Sequence, residues 1–385
     1  MTQHVPFFRT SVDEDDIANV AAVLRTNFLT TGKVTAELEA GLAAYTGTAH
    51  AVGLTSCTAA LHLCLVALGI GPGDEVLTTP LSFVATANAI VHTGARPVFV
   101  DVEPDTGNID ADQVEAALSP RTRVLLPVHL YGQLCDMRRL AAIAARHGLV
   151  IIEDAAHALE SRRDGVAIGG LAKAACLSFY ATKNITSGEG GAVLTNDPAL
   201  YERLRRLRSH GMSAGAADRY TALYRHYDVP EAGWKYNMSD IQAALLIGQL
   251  RRVDALLELR TRAYQRYAAA LRDLPGVRQP VVLPNSRHAH HLATIQVDPA
   301  RRDDVLHGLQ QRGIGVAVNF RPIHLMSYYR ETFGHRPGQF PAAERIGAST
   351  VTLPLYPRIP PADQDAVIAA VKETLRESAT PLGRT

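Results

Sequence analysis

The sequence predicts an α/β protein whose main domain is a mostly parallel β-sheet covered by helices on both faces. Between about residues 50 and 200, short β-branched apolar runs alternate with helix-length segments, and this alternation is typical of parallel strands joined by helical crossovers. After residue 238 the pattern changes to long helical stretches. A chain of 385 residues is long enough for two domains. We therefore expect a large domain over residues 1–250 and a smaller C-terminal α+β domain over residues 251–385.

Each strand and helix of the large domain is predicted from its own residues. Strands are predicted at "HAVGL", "EVLTT", "RPVFVDV", "RVLLPVHL" and "LVIIEDA". Helices are predicted between them, at "TAALHLCLVALGI", "FVATANAIVHTG", "VEAALS" and "MRRLAAIAARHG". The later runs "AACLSFYA" and "GAVLTN" have no helix-length segment between them, so they can pair directly and make the sheet locally antiparallel.

A single long helical pattern follows, from Ser239 to Leu274, with Ser239 or Asp240 available as its N-cap. A helix of this length commonly bridges two domains, and we place the domain boundary near residue 250. Beyond it, the segments "HHLATIQVD", "VLHGLQQRGI" and "VIAAVKETLRES" indicate the smaller α+β unit.

Composition and charge exclude several classes of protein. Apolar residues make up 47% of the chain and charged residues 20%, as in soluble globular proteins. The net charge of +1, with no basic tract, argues against nucleic acid or an acidic membrane surface as the main partner. No apolar run is long enough to span a bilayer, and no signal peptide is recognised. The four cysteines form no C-x-x-C pair, which favours a reducing cytoplasm.

Three polar residues follow the ends of predicted strands. Asp154 ends the apolar strand "LVIIE", Ser178 ends the next strand, and Lys183 comes five residues after Ser178. Because reactive residues of an α/β sheet collect beyond the carboxyl ends of its strands, these side chains are candidates for a common site.

An anion site and an aromatic surface are predicted in the same domain. Ser56, Cys57 and Thr58 precede a helix, so their amides and hydroxyls can bind an anion at its N-terminus. Phe83 opens another helix after the loop "TTPLS". Taken singly, such residues are more often caps, core residues or exposed charges. Their order along one α/β domain favours a shared site.

Together these groups match the needs of pyridoxal 5'-phosphate (PLP). The aldehyde of PLP bonds covalently to a lysine amine, and its phosphate needs hydrogen-bond donors. Its ring nitrogen needs a carboxylate to stay protonated, and its ring stacks on an aromatic face. The sequence therefore predicts a PLP site.

Motifs along nearly the whole chain resemble the DegT/DnrJ/EryC1/StrS family of PLP-dependent sugar aminotransferases. The stretches that carry the resemblance are "TTGKVTAELE", "TSCTAALHLCLVALGIGPGDEVLTTPLSFVATANAI", "GARPVFVDV", "PVHLYGQ", "IIEDAAHALES", "SFYATKNITSGEGGAVLTND", "WKYNMSDIQAAL" and "LPLYPRIPPAD". The resemblance implies fold type I, like aspartate aminotransferase, with a seven-stranded, mostly parallel sheet. "KNITSGEGG" and "KYNMSD" are most similar to the 4-aminotransferases of nucleotide-linked 4-keto sugars.

The resemblance assigns roles to individual residues. For the cofactor these are Lys183 as the covalent attachment point and general acid–base, Asp154 at the pyridine nitrogen, His157 near the phenolic oxygen, Phe83 on the ring, and Ser178, Cys57, Thr58 and Ala59 at the phosphate. Asn237 would reach the phosphate of a neighbouring subunit, because the family builds its active sites at a homodimer interface. The implied substrate contacts are Tyr180, His291, Arg321 and His324. No metal is implied.

The implied reaction moves an amino group from L-glutamate to a nucleotide-linked 4-keto-(6-deoxy) sugar, in deoxyaminosugar biosynthesis. Tyr180 stands where many relatives have His, so a 3-aminotransferase acting on a 3-keto sugar stays open. Sugar dehydratases of the family have His in place of the lysine, so Lys183 argues against that activity. Intact Lys183 and Asp154 also argue against a non-catalytic regulator with this fold.

Three further motifs have simpler explanations. "SGEGG" precedes a strand rather than a helix, so it indicates a tight glycine turn and not a dinucleotide site. "RHAHH" at 287–291 lacks nearby Cys or carboxylate ligands, which favours a strand entering the small domain over a metal site. "RLRRLRSHG" at 203–211 is interpreted as a solvated helix face, with an Arg at the diphosphate of the sugar nucleotide as the alternative.

Overall fold

The computed structural model describes residues 4–213 and 226–377. Its α-helices are α1 Glu14–Leu24, α2 Lys33–Thr46, α3 Cys57–Ala67, α4 Ala85–His92, α5 Ala111–Val114, α6 Met137–His147, α7 Pro198–Leu207, α8 Asp240–Arg251, α9 Val253–Leu271, α10 Arg302–Gln311, α11 Ser327–Phe333, α12 Pro341–Ser349 and α13 Pro361–Glu377. Its strands are β1 His50–Leu54, β2 Glu75–Thr78, β3 Arg96–Phe99, β4 Thr122–Leu126, β5 Val150–Asp154, β6 Arg162–Arg163, β7 Val166–Ala167, β8 Ala174–Ser178, β9 Gly191–Thr195, β10 Ser286–Arg287, β11 Ala293–Gln296 and β12 Thr350–Leu353.

The main sheet has seven strands in the order β1-β9-β8-β5-β4-β2-β3. Its parallel pairs are β2–β3, β2–β4, β4–β5 and β5–β8, whereas β9 runs antiparallel to both β8 and β1. The direct pairing of "AACLSFYA" with "GAVLTN" is thereby confirmed. Because β9 is reversed, its first residue, Gly191, lies opposite Ser178 and Leu54, which end their own strands. The start of β9 therefore lies at the same edge of the sheet as the carboxyl ends of the parallel strands.

Alternating side chains of the sheet enter two cores, one on each face. In β4, Leu125 belongs to one core, while Val124 and Leu126 belong to the other. The second core contains α3, whose residues are buried around almost its whole circumference, as expected for a helix that is apolar on all sides. This burial fixes the N-terminus of α3 firmly against the sheet.

Ser239 and Asp240 cap two different helices. Ser239 is the N-cap of α8 and forms a capping box with Gln242. The Asp240 carboxylate instead accepts hydrogen bonds from the backbone N–H groups of Gly32 (2.8 Å) and Thr35 (2.9 Å) at the start of α2. One carboxylate thus joins α8 to α2.

The prediction of a single helix from Ser239 to Leu274 is wrong, because α8 ends at Arg251 and α9 begins at Val253. Arg252 between them has φ −103° and ψ 4°, outside helical geometry. Its guanidinium forms ion pairs with Asp13 (3.0 Å) and Asp16 (2.8 Å) at the start of α1. The interruption lies close to the boundary expected near residue 250, and that boundary stays a prediction.

The C-terminal elements form a third core around the β11–β12 pair. Residues of α9, α10 and α13 pack together there with Val5 from the N-terminal segment. The end of the predicted helix "VIAAVKETLRES", Ser378, lies outside the described residues, as do residues 1–3 and 379–385 of the two expected domains.

The interpretation of residues 203–211 as a solvated face is wrong for Arg208. This side chain is buried, and its guanidinium pairs with Glu39 and donates to the carbonyl oxygen of Gly53 at 2.9 Å. Arg203 and Arg206 pair with Glu231 nearer the surface.

Within residues 4–213 and 226–377, no helix has the length and apolar character needed to cross a membrane.

Candidate active site

A cavity of about 510 Å³ opens at the edge of the sheet where β5 and β8 end. Residues from both strand ends, from the N-terminus of α3 and from the segment before α4 line it. The predicted site residues that it brings together are Cys57, Thr58, Phe83, Asp154, His157, Ser178, Tyr180, Lys183 and His291. Side chains more than 200 residues apart in sequence thus share one site.

Lys183 lies in the loop that connects β8 to β9. Its backbone N–H donates to the carbonyl oxygen of Tyr180 at 2.9 Å. The buried amide of Gln249 in α8 anchors the same loop by accepting from the Thr186 N–H (3.0 Å) and donating to the Thr186 carbonyl (2.8 Å). The loop that carries the lysine is therefore held at both strands and from the adjacent helix.

The electrostatic surroundings favour a neutral Lys183 amine. Burial lowers the pKa of Lys183 from 10.5 to about 8, although the nearby Asp154 and Cys57 act in the opposite direction. A substantial fraction of this lysine is then neutral at physiological pH, as a nucleophile and proton acceptor must be.

Asp154 is held rigidly at the base of the cavity and is 6% exposed. The Thr86 hydroxyl donates to its Oδ2 at 2.7 Å, and the backbone N–H of Ala156 donates to its Oδ1 at 3.1 Å. The Cys57 thiol lies 4.0 Å from Oδ1, and burial raises the pKa of that thiol. Asp154 thus faces a neutral thiol and keeps its carboxylate available for a cationic partner.

The N-terminus of α3 leaves two backbone donors for an anion. Ser56 caps the helix by accepting from the Ala59 N–H at 3.0 Å. In the part of the chain that the structure describes, the N–H groups of Cys57 and Thr58 have no acceptor. Ala59, which was expected to bind phosphate, does not line the cavity, and its amide serves the cap instead.

Gly191 lets the start of β9 approach this anion site. A Cβ atom at Gly191 would lie 2.5 Å from the backbone nitrogen of Cys57 and closer still to the carbonyl carbon of Ser56. The "SGEGG" stretch is thus a glycine turn, as predicted, with φ +78° at Gly188. Its last glycine determines how closely the lysine loop and α3 can pack.

Aromatic rings flank the cavity. Phe83 is 60% exposed, and its ring centroid lies 6.1 Å from that of Phe320. Phe320 in turn stacks on His157, with centroids 5.9 Å apart and an interplanar angle of 11°. The exposure of Phe83 leaves a flat apolar surface for a planar ligand.

Two neutral histidines form the polar part of the wall. His157 and His291 stack at 4.3 Å between centroids. Burial, together with the positive charge of Lys183, lowers the pKa of each well below 6.5. Neither ring therefore carries a charge at neutral pH.

Besides Ala59, three more expected site residues lie outside the cavity, namely Asn237, Arg321 and His324. Asn237 donates from Nδ2 to the Thr31 hydroxyl at 2.7 Å, and its buried Oδ1 has no partner among the described residues. Arg321 is exposed. His324 is fully buried, with its Nε2 2.9 Å from Glu344 Oε1, so it joins α12 to the preceding segment and does not contact this cavity.

Sequence reasoning missed several residues of the site. Thr86 lies one helical turn after Phe83, and that spacing was the available signal for it. Phe7 and Phe320 come from segments far from the sheet in sequence and line the cavity all the same. Asn184, next to Lys183, hydrogen-bonds to His291 at 3.0 Å. No local pattern indicates the positions of Phe7, Phe320 and Asn184, because their contacts join distant elements.

The "RHAHH" segment packs as a stack of rings. Its strand portion is short, since β10 ends at Arg287, so the predicted strand is only partly present. His288 and His290 stack at 4.5 Å, and His290 lies 4.3 Å from the Tyr264 ring. Among the residues that the structure describes, no group of three or more potential ligands could hold a metal ion.

The residues at the cavity fit PLP. The free amides of α3 and the Ser178 hydroxyl can receive a phosphate, and Lys183 can receive the aldehyde. Asp154 can pair with a protonated ring nitrogen, and Phe83 can cover the ring. The lowered pKa of Lys183 matches the need for a nucleophilic amine.

Comparisons with known proteins agree with this donor set. Residues 10–372 match the model of the DegT/DnrJ/EryC1/StrS aminotransferase family. The spore coat polysaccharide biosynthesis protein SpsC of Bacillus subtilis is 42% identical over 378 residues, which span 97% of each chain.

Two solved structures illustrate the likeness of the folds. DesV of S. venezuelae, solved with a ketimine intermediate, is 37% identical, with a TM-score of 0.88 over 97% of this chain and 98% of that one. The PMP form of the putative sugar aminotransferase Spr1654 of Streptococcus pneumoniae is 31% identical, with a TM-score of 0.92 over 97% of this chain and all of that one.

The fold, the composition of the cavity and the match along the chain all lead to the same class of enzyme. The predicted fold type I is confirmed, and a non-catalytic regulator is set aside. The chain belongs to the DegT/DnrJ/EryC1/StrS aminotransferase family and is a PLP-dependent sugar aminotransferase.

Proposed function

We propose that this protein transfers an amino group from L-glutamate to a nucleotide-linked 4-keto-6-deoxy sugar, as a step in deoxyaminosugar biosynthesis. The observation that carries the proposal is the cavity in which Lys183, Asp154 and the N-terminus of α3 lie together. SpsC is named for the biosynthesis of a polysaccharide, which supports a sugar as the amino acceptor.

Each residue has a defined task in this proposal. Bound PLP supplies an electron sink for the substrate carbon. Lys183 binds the cofactor, and its neutral amine moves the proton at the reacting carbon. Asp154 stabilises the positive charge on the ring nitrogen, with its own position fixed by Thr86. Tyr180 and His291 line the part of the cavity left for the substrate.

The position of the keto group is proposed from local sequence. "KNITSGEGG" and "KYNMSD" support a 4-keto sugar. Tyr180, which lines the cavity where many relatives have His, favours the second candidate, a 3-aminotransferase acting on a 3-keto sugar. The two candidates share one mechanism and differ in how the sugar is presented to Lys183.

We also infer a homodimer with active sites at the interface, by analogy with the family. The exposure of Phe83 (60%) and Tyr180 (47%) at the cavity supports this arrangement. Contact of Asn237 with the cofactor phosphate of the neighbouring subunit stays a prediction. Within its own chain, Asn237 Nδ2 donates to the Thr31 hydroxyl. Sedimentation of the purified protein as a monomer would contradict the homodimer.

A single-turnover experiment tests the reaction. The protein is loaded with pyridoxamine phosphate (PMP) and mixed with dTDP-, UDP- and GDP-linked 4-keto-6-deoxy sugars and a 3-keto isomer, while the absorbance of the PLP form is followed. We expect rapid return of this absorbance with one 4-keto sugar. Lys183→Ala should slow it by about 10³-fold or more, because it removes the proton-transfer group.

The donor half of the reaction provides the control. L-Glutamate should convert the PLP form to the PMP form in the wild-type protein. Conversion by glutamate without a reaction with any keto sugar would overturn the proposed acceptor. A faster reaction with the 3-keto isomer would select the second candidate.

A further inference from the structure

A buried chain of polar groups leads from α9 to His291. Arg260 and Glu160, each 2% exposed, form an ion pair. The second carboxylate oxygen of Glu160, Oε2, accepts a hydrogen bond from Asn184 Nδ2 at 2.8 Å. Asn184 Oδ1 lies 3.0 Å from His291 Nδ1. Asn184 directly follows Lys183, so the chain ends at the reaction site.

The acceptors around Asn184 fix the orientation of its amide. Nδ2 lies near two groups that can only accept, Glu160 Oε2 and the carbonyl oxygen of Ala289 at 3.4 Å. The amide oxygen therefore faces His291, and because that oxygen accepts, His291 Nδ1 has to carry the hydrogen. The ion pair with Arg260 holds the Glu160 carboxylate in place.

The structure leaves Nε2 of His291 as an acceptor. The ring is neutral and lines the cavity, and a neutral imidazole that carries hydrogen on Nδ1 has its free lone pair on Nε2. In residues 4–213 and 226–377, no group hydrogen-bonds to this Nε2, so it remains for a ligand.

His157 has the opposite tautomer. Its Nδ1 accepts the backbone N–H of Tyr131 at 3.3 Å, so its hydrogen is on Nε2. The two stacked rings therefore present one acceptor and one donor. In the other tautomer, the Nδ1–H of His157 would face the N–H of Tyr131, two donors without an acceptor. The other tautomer of His291 would place the lone pair of Nδ1 against Asn184 Oδ1, two acceptors without a donor.

We propose that His291 Nε2 accepts a hydrogen bond from a hydroxyl group of the sugar, and that Asn184, Glu160 and Arg260 are positioning residues that hold His291 in this tautomer. The inference rests on the proposed function. L-Glutamate and 2-oxoglutarate have no hydroxyl group, so this contact forms in only one half of the reaction. His291 is thus assigned to acceptor specificity.

Two keto acceptors separate this role from a general one. PMP-loaded protein is mixed either with 2-oxoglutarate or with the keto sugar that the wild-type protein uses best. His291→Asn keeps a group near Nδ1 and removes the cavity-facing nitrogen. We expect it to lower the sugar rate about tenfold, the value of one hydrogen bond, and to leave the 2-oxoglutarate rate within about threefold.

His291→Gln is the matched control. Its longer side chain places an amide oxygen near the position of Nε2, and it should recover most of the sugar rate. Equal losses in both halves of the reaction for His291→Asn would overturn the proposal. So would a His291→Gln variant as slow with the sugar as His291→Asn.

The tautomer is measured directly by ¹⁵N NMR of labelled histidines, with the His291 signals assigned by their loss in His291→Asn. Wild-type protein should show hydrogen on Nδ1 and a bare Nε2. Asn184→Ala should give a mixture of tautomers and a smaller loss confined to the sugar half. Hydrogen on Nε2 in the wild-type protein would overturn the inference. A protein that reacts with no keto sugar would instead overturn the proposed function, whatever the tautomer.

Discussion

At the scale of the residue, Lys183 has two tasks that both require a neutral amine. It has to attack the aldehyde of PLP, and it has to accept a proton from the substrate. An exposed lysine with a pKa of 10.5 is almost entirely protonated at neutral pH, whereas burial here lowers the pKa to about 8. Burial thus raises the neutral fraction of the Lys183 amine.

This shift predicts how covalent capture of PLP depends on pH. Because only the neutral amine reacts, the rate constant for capture by the apoprotein should rise about tenfold per pH unit below pH 8 and level off above it. Stopped-flow absorbance from pH 6.5 to 9.5 measures the rate. A rate that keeps rising by the same factor beyond pH 9 would show that the pKa of Lys183 is close to its ordinary value.

Individual site residues differ in how far the sequence could predict them. Lys183 and Asp154 follow strand ends, and all parallel strands end at one edge, so their proximity follows from the fold class. Thr86 and Asn184 acquire their roles from side chains more than 60 residues away in sequence. His324 matched a substrate-contact motif but is enclosed beside Glu344, a placement decided by the packing of α12.

At the scale of the element, the start of β9 shapes the phosphate site. Gly191→Ala would bring a methyl group to 2.5 Å from the Cys57 nitrogen, a separation that normal packing does not allow. Either β9 or the N-terminus of α3 has to move, and the amides of Cys57 and Thr58 would then lose their alignment. We expect PLP affinity to fall about tenfold or more while the fold is kept.

Fluorescence titration of the apoprotein with PLP measures this loss. Gly71→Ala is the matched control, because a Cβ there meets only the Thr93 carbonyl oxygen, at 3.8 Å. If both variants bind PLP equally well, the packing of β9 against α3 does not determine the phosphate site.

Element boundaries were less predictable than element types. Most residues from Ser239 to Leu274 are good helix formers, and no proline interrupts them. The interruption at Arg252 coincides with its ion pairs to Asp13 and Asp16, more than 230 residues earlier. Such a tertiary contact leaves no mark on the local pattern, so the periodicity predicted one helix where there are two.

At the scale of the whole molecule, histidines with lowered pKa values make stability depend on pH. Burial lowers the pKa of His157, His288 and His291 well below 6.5, and that of His290 to about 4. Below pH 6.5 the unfolded chain therefore binds protons that the folded chain does not. The free energy of unfolding should fall as the pH drops from 6.5 to 5, by at most about 1.4 kcal/mol per pH unit for each histidine.

Urea unfolding of the apoprotein at several pH values between 7.5 and 5 measures this slope. His290→Phe keeps a ring that packs on Tyr264 and removes one titrating group. The slope of the unfolding free energy against pH should therefore be smaller by up to about 1.4 kcal/mol per pH unit, the contribution of one proton. A stability that is constant across this range in the wild-type protein would contradict the prediction.

The overall architecture could be predicted because strand–helix alternation is repeated along about 150 residues, so that single errors do not change the fold class. Which distant segments line the cavity could not be predicted. Phe7 reaches the cavity from the N-terminal segment, and Phe320 reaches it from beyond β11. Their contribution depends on how the C-terminal part packs against the sheet, for which local residues provide no signal.

The pairing of Ser178 with Gly191 fixes the two ends of the lysine loop next to each other in the sheet. Both ends of the segment 179–190 are fixed side by side in the sheet, so a change in its length or composition need not alter the strands around it. Substitutions in this segment can therefore change the wall of the active site without changing the strand order of the sheet. Exchange of segment 179–190 between related enzymes would change the side chains that line the cavity and leave the sheet unchanged.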